Sequence, residues 1–308
     1  MSAISFRLPA GLHFLQRGWL SSNSVLLQDE SNAVLIDTGY WTHADQTLAL
    51  VQQTLSGKPL QRIFNTHLHS DHCGGNASLQ LAYPEAETLV PPGHASYVFD
   101  WDPAALSYTP TGQHCPMFKA NGVIEPGDEF RVANMVWRVY AAPGHDPNSL
   151  IFFSPSHQIL ISADALWENG FGVVFPEIEG IDAFEVVGQT LDLIEQLAPA
   201  IVLPGHGGVF SDVPAAIQRA RSRLNMFVND PNKHAAYAAK VLIKFKLLEL
   251  QSVEQAAFFQ WAEECSLLQL LHQRFANELS YSNWLQELLS ELVRAQAAAV
   301  EGNRICNL

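Results

Sequence analysis

Thr66-His67-Leu68-His69-Ser70-Asp71-His72 packs three imidazoles and one carboxylate into six consecutive positions. Neutral imidazole and carboxylate are the donors that suit zinc and similar first-row metals. Before this run, Leu60-Gln61-Arg62-Ile63-Phe64-Asn65 reads as a short apolar strand; after it, Cys73-Gly74-Gly75-Asn76 reads as a turn into a helix. In an extended segment His67 and His69 share one side, by the two-residue period of a strand. Asp71 and His72 lie past the bend, where they can diverge toward a second centre. A histidine-rich surface loop is the bland alternative, and the rest of the chain argues against it.

Three later apolar runs each finish in a potential metal ligand beside a small or turn-forming residue. Met135 to Ala142 ends in Pro143-Gly144-His145, Gln158 to Ala163 ends in Asp164, and Ala200 to Leu203 ends in Pro204-Gly205-His206-Gly207-Gly208. Strands that stop together at one sheet edge bring such residues close, on loops held by a rigid scaffold. One histidine after a strand means little. Three such ends plus the first cluster make coincidence improbable.

Together these residues resemble the metallo-β-lactamase superfamily, over roughly residues 4 to 215. His67, His69, Asp71 and His72 fit its H-x-H-x-D-H motif, and His145, Asp164 and His206 fit its three later ligand positions in order. The resemblance implies an α/β fold, an αβ/βα sandwich with a two-metal site on one edge. It implies that His67, His69 and His145 hold one divalent ion, that Asp71, His72 and His206 hold another, and that Asp164 bridges them. Asp37, in Val34-Leu35-Ile36-Asp37-Thr38-Gly39, matches an early aspartate that supports the site from behind. Zinc is the expected metal, with iron and manganese compatible with the same donors. Two such ions can share a hydroxide and clamp the attacking and leaving oxygens, so Asp71 and Asp164 are the expected catalytic carboxylates.

Composition points to a cytoplasmic enzyme. Hydrophobic residues make up 48% of the 308 and charged residues 16%, enough apolar content for sizeable cores and against disorder. No apolar run approaches the ~20 residues that span a bilayer, and the N-terminus does not read as a secretory signal. Cys73, Cys115, Cys265 and Cys306 show neither metal-finger spacing nor a disulfide framework, and Cys73 is expected as a packed thiol. The net charge of −14 is unevenly placed: residues 1–218 hold 7 Lys+Arg against 22 Asp+Glu, and residues 219–308 hold 10 against 9. Arg219, Arg221, Arg223, Lys233, Lys240, Lys244 and Lys246 form one basic stretch, opposed only by Asp230. It reads as a solvated helical face, or through Lys240 and Lys244 as a landing site for an anionic substrate tail.

The chain divides into a catalytic domain over 1–215 and a helical domain over 216–308. Ile4 to Leu8, Leu12 to Gln16, Ser24 to Gln28 and Ala33 to Asp37 form an expected opening meander. Thr42 is placed to cap a helix through Ser56, and Asp182 to cap one over 182–197 with Phe184, Val187, Leu191 and Ile194 on its buried face. Ser252-Val253-Glu254-Gln255 has capping-box spacing. Trp284, Leu285, Leu288, Leu289, Leu292 and Val293 stripe a later helix, and Ala297 to Leu308 is an expected hairpin. Three helices and a hairpin resemble a winged helix, as appended in metallo-β-lactamase-like endoribonucleases. The third helix carries Glu287 and Glu291 against Arg294, which disfavours base reading and nucleic-acid partners and favours a packing or dimerisation module that shapes the substrate mouth.

Trp167 and Phe171, just after Asp164, are the expected pocket lining, beside an aromatic segment between Pro92 and Phe118. Such a wall suits an acyl or aromatic group. The ligand set and helical tail resemble the glyoxalase-II-like branch, although Gly205-His206-Gly207 lacks the Gly-His-Glu continuation of glyoxalase II enzymes. Trp167 stands where quorum-signal lactonases place a tyrosine. Asp146 is expected in a surface turn. The expected function is hydrolysis of a thioester or ester of a small acyl substrate. Phosphodiester or RNA cleavage by the same site, and a regulatory metal-binding protein without turnover, are the alternatives.

Overall fold

The computed structural model describes residues 7–308, so most of the expected segment Ile4 to Leu8 lies outside the described residues. The rest of the meander forms as β1 (Leu12–Leu15), β2 (Ser24–Gln28) and β3 (Ala33–Ile36), paired antiparallel in succession. Helix α1 (Ala44–Leu55) carries the chain back, and β4 (Arg62–Phe64) joins β3 in parallel. The short helices α2 (Ser70–Cys73) and α3 (Asn76–Ala82) lead to β5 (Glu87–Val90), and α4 (Ala95–Phe99) precedes β6 (Gly122–Val123). These strands make a six-stranded sheet in sequence order.

A second sheet of five strands has the order β11-β10-β9-β8-β7. Strands β7 (Glu129–Val132), β8 (Met135–Ala141), β9 (Leu150–Ser154) and β10 (Ile159–Ala163) are antiparallel neighbours. After α5 (Phe175–Glu179) and α6 (Phe184–Leu197), β11 (Ile201–Pro204) lies parallel to β10. Strands β8, β10 and β11 therefore run the same way and end at one edge, each just before a histidine or aspartate of the expected set.

Strand alternation builds the layers. Val25, Leu27, Val34, Ile36 and Phe64 face Trp137, Val139, Phe152, Ile159, Ile161 and Leu203 in one core between the sheets. The intervening Leu26, Leu35 and Ile63 turn outward onto Val51 and Leu55 of α1 and Leu79 of α3. On the other side Ile151, Phe153, Leu160 and Val202 meet Val187, Leu191 and Ile194 of α6 and Ala216, Ala220 and Phe227 of α7 (Val213–Asn229). Runs such as Leu150–Ser154 are buried on both faces because each sheet carries helices outside and a sheet inside. The result is a helix-sheet-sheet-helix sandwich.

The remaining chain winds on α8 (Pro231–Leu250). Strand β12 (Ser252–Glu254), helices α9 (Gln255–Glu264), α10 (Ser266–Phe275) and α11 (Tyr281–Arg294), and the hairpin β13 (Ala298–Glu301) and β14 (Arg304–Asn307) complete it. Ala238, Leu242 and Ile243 of α8 share a core with Phe258, Leu268, Leu271, Leu285, Leu288 and Ile305, and also with Val173 and Ile178 from the sandwich half. Among the described residues no helix is long and apolar enough to cross a membrane.

Three expected caps are replaced. The turn Trp41–His43 precedes α1, so His43 rather than Thr42 stands at its N-cap. Ser252 pairs with Cys306 in β12 and caps nothing, because the tail hairpin offers its backbone a strand partner. Asp182 is displaced by Glu177, whose Oε1 accepts from Ala183 N and Phe184 N at 2.6 and 2.7 Å. A carboxylate there satisfies free N–H groups and complements the helix dipole.

Candidate metal centre

Four chain ends deliver the donors. His67 and His69 follow β4, with Asp71 and His72 in the first turn of α2; His145 follows β8, Asp164 follows β10 and His206 follows β11. The edge is stitched across the sandwich by Leu150 N to Thr66 O (2.8 Å) and Asn23 N to Gly205 O (2.7 Å). Three overlapping groups of donor atoms result, each with every atom within 4.8 Å of the others. They are His67, His69 and His145; His67, His72 and Asp164; and Asp71, His72 and His206.

The hydrogen bonds behind each ring leave electron pairs pointing at common points. His145 Nδ1 donates to Val173 O at 2.5 Å, which leaves Nε2 an acceptor. Thr66 Oγ1 donates to Asp37 Oδ2 (2.7 Å) and accepts from His67 Nδ1 (3.0 Å), so His67 Nε2 is an acceptor too. Both acceptors crowd His69 Nδ1, at 3.0 Å from His67 and 2.8 Å from His145. A single ring proton on His69 cannot satisfy both, whereas a cation between the three can.

The second group has the same logic. His72 Nδ1 donates to Asp37 Oδ2 at 2.7 Å, and its buried Nε2 has no hydrogen-bond partner. That Nε2 faces Asp164 Oδ1 at 3.5 Å and Asp71 Oδ2 at 3.8 Å. His206 Nε2 lies 3.1 Å from Asp71 Oδ2 and 3.8 Å from Asp164 Oδ2, and its Nδ1 is buried and unpartnered. Asp164 Oδ2 is also 3.4 Å from His145 Nε2, so this one carboxylate reaches both groups. The residues present fit two divalent ions.

Electrostatics agree. Burial, then the neighbouring imidazoles, depress His67 far below its ordinary value and His69 to about 4. Burial opposes charge on His72 as well, yet the carboxylates of Asp164, Asp37 and Asp71 hold it well above its ordinary value. Burial resists ionisation of Asp164, but His206 and His72 keep its carboxyl well below the usual range. One pole of the site thus refuses protons and the other attracts cations.

Asp37 sits behind both groups. Its φ of 59° lies in the left-handed region, which aims the carboxylate under Thr66 and His72. It accepts from Thr66 N (2.8 Å) in addition to Thr66 Oγ1 and His72 Nδ1. Asp146 is not in a surface turn. It is buried, accepts from Asn148 N at 2.7 Å, and stands 3.9 Å from His69 Nε2 and from His94 Nδ1. Cys73 is a packed thiol as expected, 3.1 Å from Tyr108 Oη.

A cavity of about 710 Å³ opens over the donors. Trp167 lines it, and its Nε1 donates to Asp164 Oδ1 at 3.2 Å. Phe171 does not line it. Its ring is buried in the outer core against Phe227, at 6.3 Å between centroids, because the bridge between Trp167 and Gly170 turns the chain inward. Phe175 takes that place, 5.0 Å from the His69 ring and 5.6 Å from His145. Trp19 stacks flat on His206 at 5.4 Å and meets Trp167 edge-on at 5.4 Å. Neither was legible: Trp19 lies in a loop far in sequence from any donor, and Phe175 shares its spacing signal with several core aromatics. Lys240 and Lys244 line the cavity, but Lys240 pairs with Glu291 at 2.8 Å. Lys244 donates to Ala297 O, Asn307 Oδ1 and Leu308 O.

The sequence model of the metallo-beta-lactamase superfamily matches residues 17–206, which contain all seven donors. The chain belongs to that superfamily. Its matches include an atrochrysone carboxyl ACP thioesterase from Aspergillus fumigatus, 24% identical over 69% of this chain and 43% of the relative. A hydroxyacylglutathione hydrolase from Xanthomonas axonopodis pv. citri is 27% identical over 59% of this chain and 56% of the relative. The chain thus spans about half the length of these curated relatives. A metallo-beta-lactamase family protein from Thermus thermophilus superposes with a TM-score of 0.57 at 22% identity, over 98% of this chain and 100% of that one. The superposition on that neighbour extends across the helical tail as well.

Proposed function

We propose that this chain is a dinuclear metal-dependent hydrolase that cleaves a thioester or ester of a small acyl substrate. The observation that carries the reading is one place: seven convergent donors, five of them (His69, Asp71, His145, Asp164 and His206) on the floor of a cavity whose walls are mainly apolar and two (His67 and His72) buried behind it. His67, His69 and His145 would hold one ion, Asp71, His72 and His206 the other, with Asp164 between them. Zinc suits this donor set best, with iron or manganese next. Two bound divalent ions supply Lewis acidity toward a carbonyl oxygen and acidify a water. The protein's own contributions are separate. Trp167 fixes the orientation of Asp164 through its indole N–H. Trp19, Trp167 and Phe175 exclude water around the reacting carbon, and Tyr237, Val241 and Leu248 of α8 offer an apolar bed for the acyl group.

The relatives named as a thioesterase and an acylglutathione hydrolase support this choice of bond. Phosphodiester cleavage needs free cations along a backbone, and most cations of the basic stretch are already engaged. Residues 216–308 we read as the unit that closes the cavity, appended to a catalytic unit over 1–215, and four free thiols fit a reducing cytoplasm. The test compares initial rates of metal-loaded protein on a glutathione thioester and an activated phosphodiester, with and without chelator. Chelator-sensitive thiol release that exceeds phosphodiester cleavage is expected; the opposite preference would overturn the reading.

A further inference from the structure

The basic stretch resolves into engaged and unengaged charges. Arg221 pairs with Asp192 and Glu195, Lys233 with Asp230, and Lys246 with Glu249. Lys240 has Glu291, Arg219 donates to Glu168 O at 2.7 Å, and each proton of the Lys244 ammonium has an oxygen acceptor. Arg223 differs. Among the described residues no carboxylate lies within ion-pair distance of it, and its bond from Nη1 to Phe171 O is long at 3.4 Å. Apart from Phe171 O and the neighbouring Tyr237 hydroxyl, its N–H donors have no acceptor among the described residues, yet its side chain lines the cavity that holds Asp164 and His145.

Its guanidinium is nevertheless held in place. Cζ lies 5.4 Å from the centroid of the Tyr237 ring, whose face favours a cation. Gly170 packs closely against it as well: a Cβ there would sit 2.5 Å from Nη1 and 2.6 Å from Cζ. Gly170 has φ 122°, and its carbonyl accepts from Trp167 N at 2.7 Å, three residues after Asp164. One loop therefore carries the donor that reaches both metal groups, the indole that orients it and the slot for Arg223. A planar, preorganised guanidinium with unmet donors in an apolar-walled cavity is a fork for a planar oxyanion. A phosphate dianion would call for a second free cation beside it, and Lys240 and Lys244 are already engaged.

We infer that Arg223 docks a carboxylate carried by the substrate, so that the substrate class is an acyl thioester or ester bearing a free carboxylate. This rests on the hydrolase reading above. Its test uses three probes on metal-loaded protein: the N-acetylcysteamine thioesters of adipic acid and of hexanoic acid, and the hexanoyl thioester of 3-mercaptopropionate. Wild type should prefer one carboxylated probe over the neutral one by about tenfold in kcat/KM. Which probe is preferred tells whether the carboxylate belongs to the acyl or the leaving group. In Arg223→Gln the preference should fall to within about twofold with the neutral rate kept, and Arg223→Lys should restore part of it. Calorimetry supplies a readout apart from turnover: wild type should bind adipate more tightly than hexanoate if the carboxylate is on the acyl group, or 3-mercaptopropionate more tightly than propanethiol if it is on the leaving group, and Arg223→Gln should erase the difference. Hydrolysis of all three probes at equal rates by wild type overturns the docking and leaves the hydrolase reading standing, even if the variants fail to fold. An Arg223-dependent preference for adipate with no hydrolysis of any probe overturns the hydrolase reading and keeps the docking. Equal losses on all probes in Arg223→Gln also overturn it.

Discussion

Asp37 shows how much of a metal site can rest on a residue that need not touch the metal. Its carboxylate takes bonds from Thr66 N, Thr66 Oγ1 and His72 Nδ1, and Thr66 in turn fixes the tautomer of His67. Asp37→Ala should weaken metal binding by about 10–100-fold, the usual cost of removing a partner behind a ligand; competition with a chromophoric chelator measures it. Trp167→Phe keeps the ring and deletes the bond to Asp164, so kcat should fall about tenfold with metal content unchanged. Loss of metal in that variant would instead make Trp167 a support for the donor set. The seven histidines and aspartates that converge here are conspicuous in sequence because they sit at or just past strand ends in residue types that rarely cluster. Nothing in sequence sets Arg223 apart from its basic run, or Trp19 and Phe175 from other aromatics, because such residues carry no sign of what they will face. Phe171 misled for the same reason: sequence adjacency to Asp164 says nothing about the inward turn at Gly170.

Elements were legible where packing decides them and illegible where a single side chain does. The buried face of α6 reads directly from its periodicity, but its N-terminus is satisfied by Glu177 from the preceding helix, a partner no local rule finds. Glu177→Ala should cost about 1 kcal/mol in a denaturant melt, as loss of a cap does, whereas Asp182→Ala should cost little. Helix α8 carries a second local device. His234 is buried and its Nε2 accepts from Val174 N at 3.1 Å. Burial lowers its pKa from 6.5 to about 4. Between those values the unfolded chain binds a proton that the folded chain refuses, so stability falls as pH drops through that window and is unaffected above it. The whole penalty, about 3 kcal/mol, is present below the folded value. His234→Gln keeps an acceptor for Val174 without the titration. Its melting temperature should decline less than wild type between pH 7 and pH 4, and parallel curves would remove His234 as a cause.

The two halves of the molecule share atoms that matter to the metal. Val173 and Ile178 belong in sequence to the sandwich yet are buried in the core of the helical tail. The carbonyl of Val173 is what holds His145 Nδ1, and Phe175 between them packs on His69 and His145. Other ties run alongside: Tyr40 Oη donates to Glu249 at 3.0 Å, and Leu267 N donates to Pro110 O at 3.0 Å. Loosening the tail therefore frees the carbonyl that sets the tautomer of a metal donor. Leu268, fully buried in the core it shares with α8, is far from every donor in sequence. Leu268→Ala should destabilise by about 2–5 kcal/mol, the range for emptying such a site. If the tail positions His145, metal release in urea should shift with it, so that chelator-detected release and loss of helical signal keep a common midpoint in both proteins. Release that stays at the wild-type urea concentration while the helices melt earlier would show a metal centre held by the sandwich alone.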